Sequence, residues 1–473
     1  MQAYAPLFVD LDGTLIKTDL LVESFIGLFK KHPWMAIRAL FWLLRGKAYL
    51  KDRIAQYIEL DPELLPYHPE FLAYLQSQQQ QGRTLYLATA SNHRYAHAVA
   101  RHLGIFEGVI ASDTDHNLSG ANKLKAIKIL CPGHFVYAGN DQVDEPIWAE
   151  AQQAILVDVS SAVSKRVTDS IEIEAQFTSK RSKTKALLKA MRPHQWLKNL
   201  LVFLPLLPIA TTASPAMIKM AMLAFVSFSL CASSVYLLND LSDLAADRAH
   251  PRKRTRPFAS GDLAPLYGLL LAPLLLLAAF ALTLLMPWQF AAMLGIYWVS
   301  TTAYTFVLKR YALIDVTTLA GLYTLRVLGG AAAISVMPSF WILAFSMFIF
   351  FSLAMAKRYA ELDAMRALER ERAQGRGYQV ADLPVVQLMG VASGYLAVLV
   401  IALYINSPDI LSRYPHVELL WGVCPLLLLW ISRIWLKTAR GEMTDDPLIF
   451  AARDRMSRYV LVMAMGLILA ALL

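Results

Sequence analysis

The chain has 473 residues, 56% of them hydrophobic and only 17% charged, and its mean hydropathy of +0.43 excludes an ordinary soluble protein of this size. The formal net charge of +9 does not point to nucleic acid, because the excess lysine and arginine lies beside apolar runs rather than on a separate basic module. Cys131, Cys231 and Cys424 lie far apart, without CxxC or zinc-ligand spacing, which argues against disulfides and structural zinc.

Charges keep the density of a soluble domain up to about residue 190, and runs of about 20 apolar residues, the length needed to cross a bilayer, recur only beyond it. The N-terminus MQAYAPLFVDLDGTL has no basic stretch ahead of a long apolar core, so no cleaved signal peptide is expected. Residues 1–160 read as an α/β unit, with apolar strands expected at 6–11, 84–89, 134–138 and 154–158 between helical patterns, which favours a parallel sheet. The stretch 17–82 is too long for an ordinary crossover and reads as an inserted helical cap. Its apolar run Met35–Leu44 is too short to span and is expected to be cap core or a membrane-facing surface. Residues 161–192 read as a linker ending in KRSKTKALLKAMR, a basic amphipathic helix suited to a headgroup layer.

Nine apolar runs follow, near 199–213, 217–238, 265–285, 288–308, 315–335, 340–356, 386–405, 417–436 and 457–473. Lysine and arginine crowd the connections after the even-numbered runs, from Arg248–Arg256, through Lys309-Arg310 and Lys357–Arg376 (Arg370 and Arg372 among them), to Arg433–Arg458. The connections after odd-numbered runs hold Lys219 and Arg413. The positive-inside rule places the even connections and the N-terminal domain together in the cytoplasm, in a multi-pass protein of the inner membrane.

Asp10 and Asp12, two residues apart at the end of an expected strand and followed by Gly13 and Thr14, suit attack on phosphorus by one carboxylate and protonation of the leaving oxygen by the other, with a metal offsetting phosphate charge. By itself the pattern also fits an ordinary strand-to-turn junction. Thr89 at the end of the next strand, Lys123 after SGANK, and Gly139-Asn140-Asp141-Gln142-Val143-Asp144 complete an ordered set. That set resembles the haloacid dehalogenase (HAD) superfamily over residues 1–160. The resemblance implies a Rossmann-like fold with a helical cap, Asp10 as nucleophile, Asp12 as general acid/base, Thr89 and Lys123 on the phosphoryl oxygens, and Mg²⁺ held by Asp10, Asp12 and an acid near Asp144. Asn140 stands where that family has an aspartate, so either Asp141 or Asp144 carries the metal or the site is weakened.

In the membrane half, Asn239, Asp240, Asp243 and Asp247 form NDxxDxxxD, and Arg248 opens a basic run through Lys253, Arg254 and Arg256 to Gly261. Asp240, Asp243 and Asp247 at i, i+3 and i+7 are expected on one helical face, where three carboxylates repel unless they bind cations such as Mg²⁺ bridging to substrate phosphates. The basic run is expected to grip a diphosphate. A transporter is disfavoured because no inverted repeat with broken half-helices is visible.

NDxxDxxxDR resembles the UbiA superfamily of intramembrane prenyltransferases over residues 193–473, an all-α fold of nine transmembrane helices. Arg192–Asn199, Lys309-Arg310 and Lys357–Leu362 fit the same pattern, so Lys198, Asn199, Lys309, Lys357 and Arg358 are candidate substrate contacts. Asp315 and Arg326 share a helical face about 16 Å apart, and Arg326 reads either as a substrate contact or as half of a structural pair with Asp315. HPRKRTRPFASG, RPHQWLKN and KRYAEL are most similar to the branch that transfers phosphoribosyl groups, and Glu361 and Asp363 depart from the second DxxxD of aromatic-acceptor enzymes. The resemblance implies phosphoribosyl diphosphate and a polyprenyl phosphate as substrates, with the HAD domain removing the 5-phosphate of the product. The alternative is prenyl transfer from a polyprenyl diphosphate to an aromatic acceptor.

Overall fold

The computed structural model describes residues 4–179, 182–210, 212–367, 376–411, 414–443 and 446–472; Arg370, Arg372 and Arg413 of the charge pattern lie outside them. The chain forms two compact units, one of residues 1–191 with 236–272, the other of 192–235 with 273–473.

In the first unit, β1 (Leu7–Val9) leads into the helices α1 (Leu20–Lys31), α2 (Pro33–Leu43), α3 (Lys47–Tyr57) and α4 (Pro69–Gln80), which form the expected cap. The chain then alternates β2 (Leu85–Asn92), α5 (His93–Leu103), β3 (Gly108–Ser112), α6 (Ala121–Leu130), β4 (Val136–Gly139), α7 (Glu145–Trp148), β5 (Gln153–Val157), α8 (Ser161–Thr168), β6 (Ile173–Phe177) and α9 (Lys183–Met191). The strands pair in the order β3-β2-β1-β4-β5-β6, all parallel. β1, between β2 and β4, is buried at all three residues, as a central strand of a doubly covered parallel sheet must be. Its carboxyl end is where an open parallel sheet places its ligand crevice.

The four expected strands are present. β3 and β6 were not expected, because GVIAS and IEAQF are short and mixed in polarity; they are the sheet edges, only half-buried. Ser161–Phe177, expected to be linker, therefore adds a helix and an edge strand, and the basic helix α9 follows it.

The cap helices pack around Leu28, Ala39, Leu50, Ile54 and Ile58. Also in this unit are the C-terminal end of α10 (Pro215–Ser242), the short α11 (Leu244–Ala249), and the start of α12 (Pro265–Thr283).

The second unit is helical. α13 (Trp288–Phe306), α14 (Ile314–Ala333) and α15 (Phe340–Arg366) are followed by helices Val380–Ile405, Val417–Ala439 and Arg455–Leu472. Val316, Ala320, Val327, Leu353, Met355 and Trp435 lie in its largest core cluster, while Phe228, Phe290, Leu294 and Tyr297 anchor another. Among the described residues seven helices are long and apolar enough to cross a membrane. The two remaining runs behave differently. Residues Pro193–Ile209 form a 3₁₀ stretch, since Pro205 and Pro208 remove backbone donors from any α-helix there. Within residues 288–308 the chain forms α13, Trp288–Phe306, whose Gln289, Ser300, Thr301, Thr302 and Thr305 dilute its hydropathy.

Candidate functional site: two acidic motifs

Asp10 follows the last residue of β1, and its backbone N–H donates to the Ala138 carbonyl of β4, which locks it at the sheet's carboxyl edge. Lys123, on the first turn of α6, donates to Asp10 Oδ1 at 2.8 Å and to the Tyr137 hydroxyl at 2.8 Å, and lies 3.5 Å from Asp144 Oδ1. Tyr137 donates to Asp144 at 2.8 Å, and the backbone N–H groups of Asn140 and Asp141 donate to the other Asp144 oxygen. Burial pushes Asp10 upward and Lys123 pulls it back, leaving it at about 6. Burial alone would lower Lys123, but Asp10 and Asp144 raise it above the ordinary lysine value, so it stays cationic.

Asp12 accepts from the Leu20 N–H at 3.0 Å and from the Ser91 hydroxyl. Burial, followed by the charge of Asp19, pushes it to about 7, the state a general acid needs near neutrality. Thr89, expected to end its strand, instead lies fully buried inside β2, which runs on to Asn92, and its hydroxyl accepts from the Ser91 N–H at 3.0 Å. Gly13 sits at φ +77°, and a Cβ there would meet the Asn140 side chain at 2.1 Å; only glycine lets the turn close against Asn140.

Asp144 and Asp141 separate clearly. Asp144 is buried with Asp10 and Lys123, whereas Asp141 is exposed and caps the 3₁₀ turn Gln142–Asp144 through the Gln142 N–H. Two neighbours had no signal in the motif. Ser91 holds Asp12, and Lys51 of α3 reaches from the cap to the Ala90 carbonyl at 2.6 Å, its pKa lowered by burial despite the pull of Asp12 and Asp19.

The acid motif of the membrane half departs from the expected single face. α10 ends at Ser242, and Asp243 occupies the N-cap position of α11 at φ −104°, so the helix breaks at the second acid, between Asp240 and Asp247. Asp240 and Asp247 still meet, both bonded to one guanidinium nitrogen of Arg256, at 3.1 and 2.6 Å. Asp243 instead accepts from Lys30 of α1 at 3.2 Å. No cluster of three acidic, histidine or cysteine ligands occurs among the described residues. The donor chemistry nevertheless suits a divalent cation, because two buried carboxylates already share a single positive centre.

The basic run divides in the same way. Lys253 and Arg254 are exposed on the turn Lys253–Thr255, while Arg256 faces the acids. Arg248 is engaged elsewhere: it pairs bidentately with Glu23 of α1, both side chains buried, and donates to the Ala259 carbonyl. Glu23 also accepts from Thr18. Gly261, at φ +72°, lies where a Cβ would stand 2.6 Å from Lys17 Cβ. The loop after the acid motif is thus seated on the HAD-like cap. Asn239 lies beside Asp240 on α10, its carbonyl accepting from the Asp243 N–H at 3.0 Å.

In the second unit, the structural pairing of Asp315 with Arg326, one of the two readings of Arg326, does not occur. Arg326 donates to Asn199 Oδ1 (2.8 Å), the Leu322 carbonyl (2.6 Å) and the Tyr297 hydroxyl (2.8 Å). Asp315 pairs with Arg358 at 2.8 Å and Arg376 at 3.1 Å and accepts from Tyr378. Three turns of helix separate Asp315 from Arg326, too far for contact, and neighbouring helices supply each with a nearer partner. Asn199, Arg326 and Arg358 are therefore buried within the bundle, Asn199 against Arg326 and Arg358 against Asp315.

Lys198 and Lys357 do converge, on Asp446, at 2.7 and 3.4 Å, beside Tyr323 and a water-sized cavity. Burial would raise Asp446, but Lys357 and Lys198 hold it well below the ordinary carboxylate range. Asp446 lies in no recognisable motif. Lys309 sits half-buried on the turn Leu308–Arg310. An apolar cavity of about 460 Å³ opens between Trp196, Leu197, Leu200, Phe225 and Ile449, with His194 and Arg453 in its lining.

Comparison with known proteins fits this division. Residues 200–461 match the UbiA prenyltransferase family, and residues 7–134 match haloacid dehalogenase-like hydrolases. The uncharacterized protein y4nM of Sinorhizobium fredii is 35% identical over 459 residues, 96% of this chain and 89% of that one. Nodulation protein NoeC of Azorhizobium caulinodans is 35% identical over 281 residues, 59% of this chain and 91% of its own. Decaprenyl-phosphate phosphoribosyltransferase of Mycolicibacterium smegmatis is 38% identical over 182 residues, 37% of this chain and 57% of that enzyme. The chain belongs to the UbiA prenyltransferase family and carries a haloacid dehalogenase-like domain at its N-terminus.

Proposed function

We propose that the membrane domain transfers a phosphoribosyl group from phosphoribosyl diphosphate to a polyprenyl phosphate, and that the HAD-like domain then removes the 5-phosphate to give polyprenyl-phosphoryl ribose. The observation that carries the first step is the meeting of Asp240 and Asp247 on one cationic centre beside a basic loop. Similarity to an enzyme named as a decaprenyl-phosphate phosphoribosyltransferase supports the substrate class.

Bound Mg²⁺ would supply positive charge against the departing diphosphate. The chain's own contribution is Asp240, Asp243 and Asp247 to hold the ion, and Lys253, Arg254 and Arg256 to receive the charge that develops as the lipid phosphate oxygen displaces diphosphate from the sugar. Lys198 and Lys357, paired through Asp446, form a second candidate phosphate contact, and the apolar cavity by Trp196 and Phe225 suits part of a prenyl chain. We place nine helical passes in the inner membrane, adding Pro193–Ile209 and α13 to the seven strongest helices, with the HAD-like domain in the cytoplasm.

In the second step Asp10 attacks phosphorus, Lys123 neutralises the phosphoryl oxygens, and Asp12 gives its proton to the ribose oxygen that leaves; Asp12, now a carboxylate, then takes a proton from the water that attacks the aspartyl-phosphate, which releases phosphate and frees Asp10. Mg²⁺ would be held there by Asp10 with Asp144. Tethering both activities in one chain raises the local concentration of the phosphorylated lipid at the phosphatase.

The test uses the purified chain with Mg²⁺, labelled phosphoribosyl diphosphate and a polyprenyl phosphate. Label entering lipid, lost in Asp243→Asn and accumulating as phosphorylated product in Asp10→Asn, is the expected result. Absence of label from lipid in the wild type overturns it, and prenylation of an aromatic acid by labelled prenyl diphosphate would establish the alternative.

A further inference from the structure

α2 buries only Ala36 and Ala39 against the cap. Trp34, Ile37, Phe41 and Leu44, at helical spacing i, i+3, i+7 and i+10, stand 79, 51, 65 and 83% exposed, and Leu40 widens the same face. A contiguous apolar face of this kind on a cytoplasmic domain marks an interaction surface.

Two further observations identify what covers it. The segment 30–47 holds Lys30, Lys31, Arg38, Arg45 and Lys47 and no acidic residue, the charge that complements an anionic lipid surface. Lys30, three residues before α2, donates at 2.6 Å to the carbonyl of Ser242, the last residue of the membrane-crossing helix α10. α2 therefore begins beside the point where a span leaves the membrane. Leu266, Tyr267 and Leu270, on the first turns of the next spanning helix α12, are also exposed in this unit.

We propose that α2 is a monotopic membrane anchor: it lies in the cytoplasmic headgroup layer with Trp34, Ile37, Phe41 and Leu44 in the acyl boundary and its cations against anionic lipid phosphates. The consequence is a cap that one lipid-bound helix holds at the surface from which a lipid-linked substrate presents its headgroup. This rests on the membrane reading of the chain and does not depend on which group is transferred.

The experiment places a nitroxide at Phe41→Cys, and separately at Leu44→Cys, in the full chain carrying Cys131→Ala, Cys231→Ala and Cys424→Ala. The chain is reconstituted into phosphatidylcholine vesicles with and without phosphatidylglycerol. Glu70→Cys on α4 is the water-exposed reference. The expected result is an oxygen-to-nickel accessibility ratio about fivefold above that at Glu70, as for a label several ångströms below the headgroups, and higher again with phosphatidylglycerol. Ratios equal to the Glu70 value overturn the proposal. So does protection from both reagents together with a doubled particle mass, which would make a second copy of the chain the occupant. Retained transfer or phosphatase activity with water-exposed labels would sink the anchor alone and leave the functional reading standing.

Discussion

The two acidic motifs of this chain rest on different scaffolds, and the scaffolds give them different states. Asp10 and Asp12 stand at the carboxyl end of a central parallel strand, where both neighbouring strands fix the backbone and Lys123 and Ser91 fix the carboxyl groups. Asp240, Asp243 and Asp247 stand where a spanning helix ends and turns, and each is met by a cation of the same chain. A strand end in a sheet is held on both sides and gives a preformed site. The helix end offers no such frame, and its acids are satisfied by cations from elsewhere in the chain, Asp240 and Asp247 by Arg256 and Asp243 by Lys30.

The largest expected effect tests the preformed site. Asp10→Asn should lower hydrolysis of a soluble phosphate ester on the order of 10⁴-fold while leaving the transfer step intact, since removing a nucleophile abolishes a covalent route. Single-turnover assays of each activity on the same preparation check this, and an equal loss of both would erase the contrast between the motifs.

Next comes the seat of the loop that follows the acid motif. Glu23→Ala leaves Arg248 buried without its partner, a change that costs roughly 3–5 kcal/mol and should loosen residues 243–261. Hydrogen exchange should rise across that loop, and transfer should fall although Glu23 belongs to the HAD-like domain. Unchanged exchange would mean that the cap does not hold the loop.

Arg256→Gln should have a smaller and conditional effect. Without Mg²⁺ it leaves Asp240 and Asp247 facing each other with their shared cation gone, so thermal stability should drop by about 1–2 kcal/mol, reduced because Arg256 is partly exposed. Mg²⁺ should restore that loss and stabilise the variant more than the wild type. A variant insensitive to Mg²⁺ would remove these acids from the metal site.

The mildest test is pH. Asp12 must be protonated to act as acid, and burial moves it from 3.8 to about 7. Phosphatase activity should therefore fall about tenfold per unit as pH rises past about 7. Its folded pKa lies above its unfolded one, so the stability it contributes is full below pH 3.8 and is lost as pH rises towards 7. A flat pH profile through 8 would transfer the acid role to another group.

Much of this was legible in the sequence because it depends on local pattern. Short apolar runs between helical patterns gave β1, β2, β4 and β5, apolar run length gave seven of the nine expected spans, and residue order singled out Asp10, Asp12, Lys123, Asp240 and Asp247. The edge strands β3 and β6 carried too little apolar signal to be seen. Ser91, Lys51, Glu23 and Asp446 were invisible because their roles come from partners distant along the chain, such as Asp12 for Ser91 and Arg248 for Glu23.

What the sequence by itself determined is the division into a HAD-like α/β domain and an apolar helical domain, since burial period and span length are local properties. The tertiary structure decided which charges pair. It gave Arg326 to Asn199 and Tyr297, Asp315 to Arg358, Arg248 to Glu23, and Asp243 to Lys30. The physical reason is that a charged group takes the nearest complementary partner in space, and nearness in space is set by packing rather than by spacing along one helix.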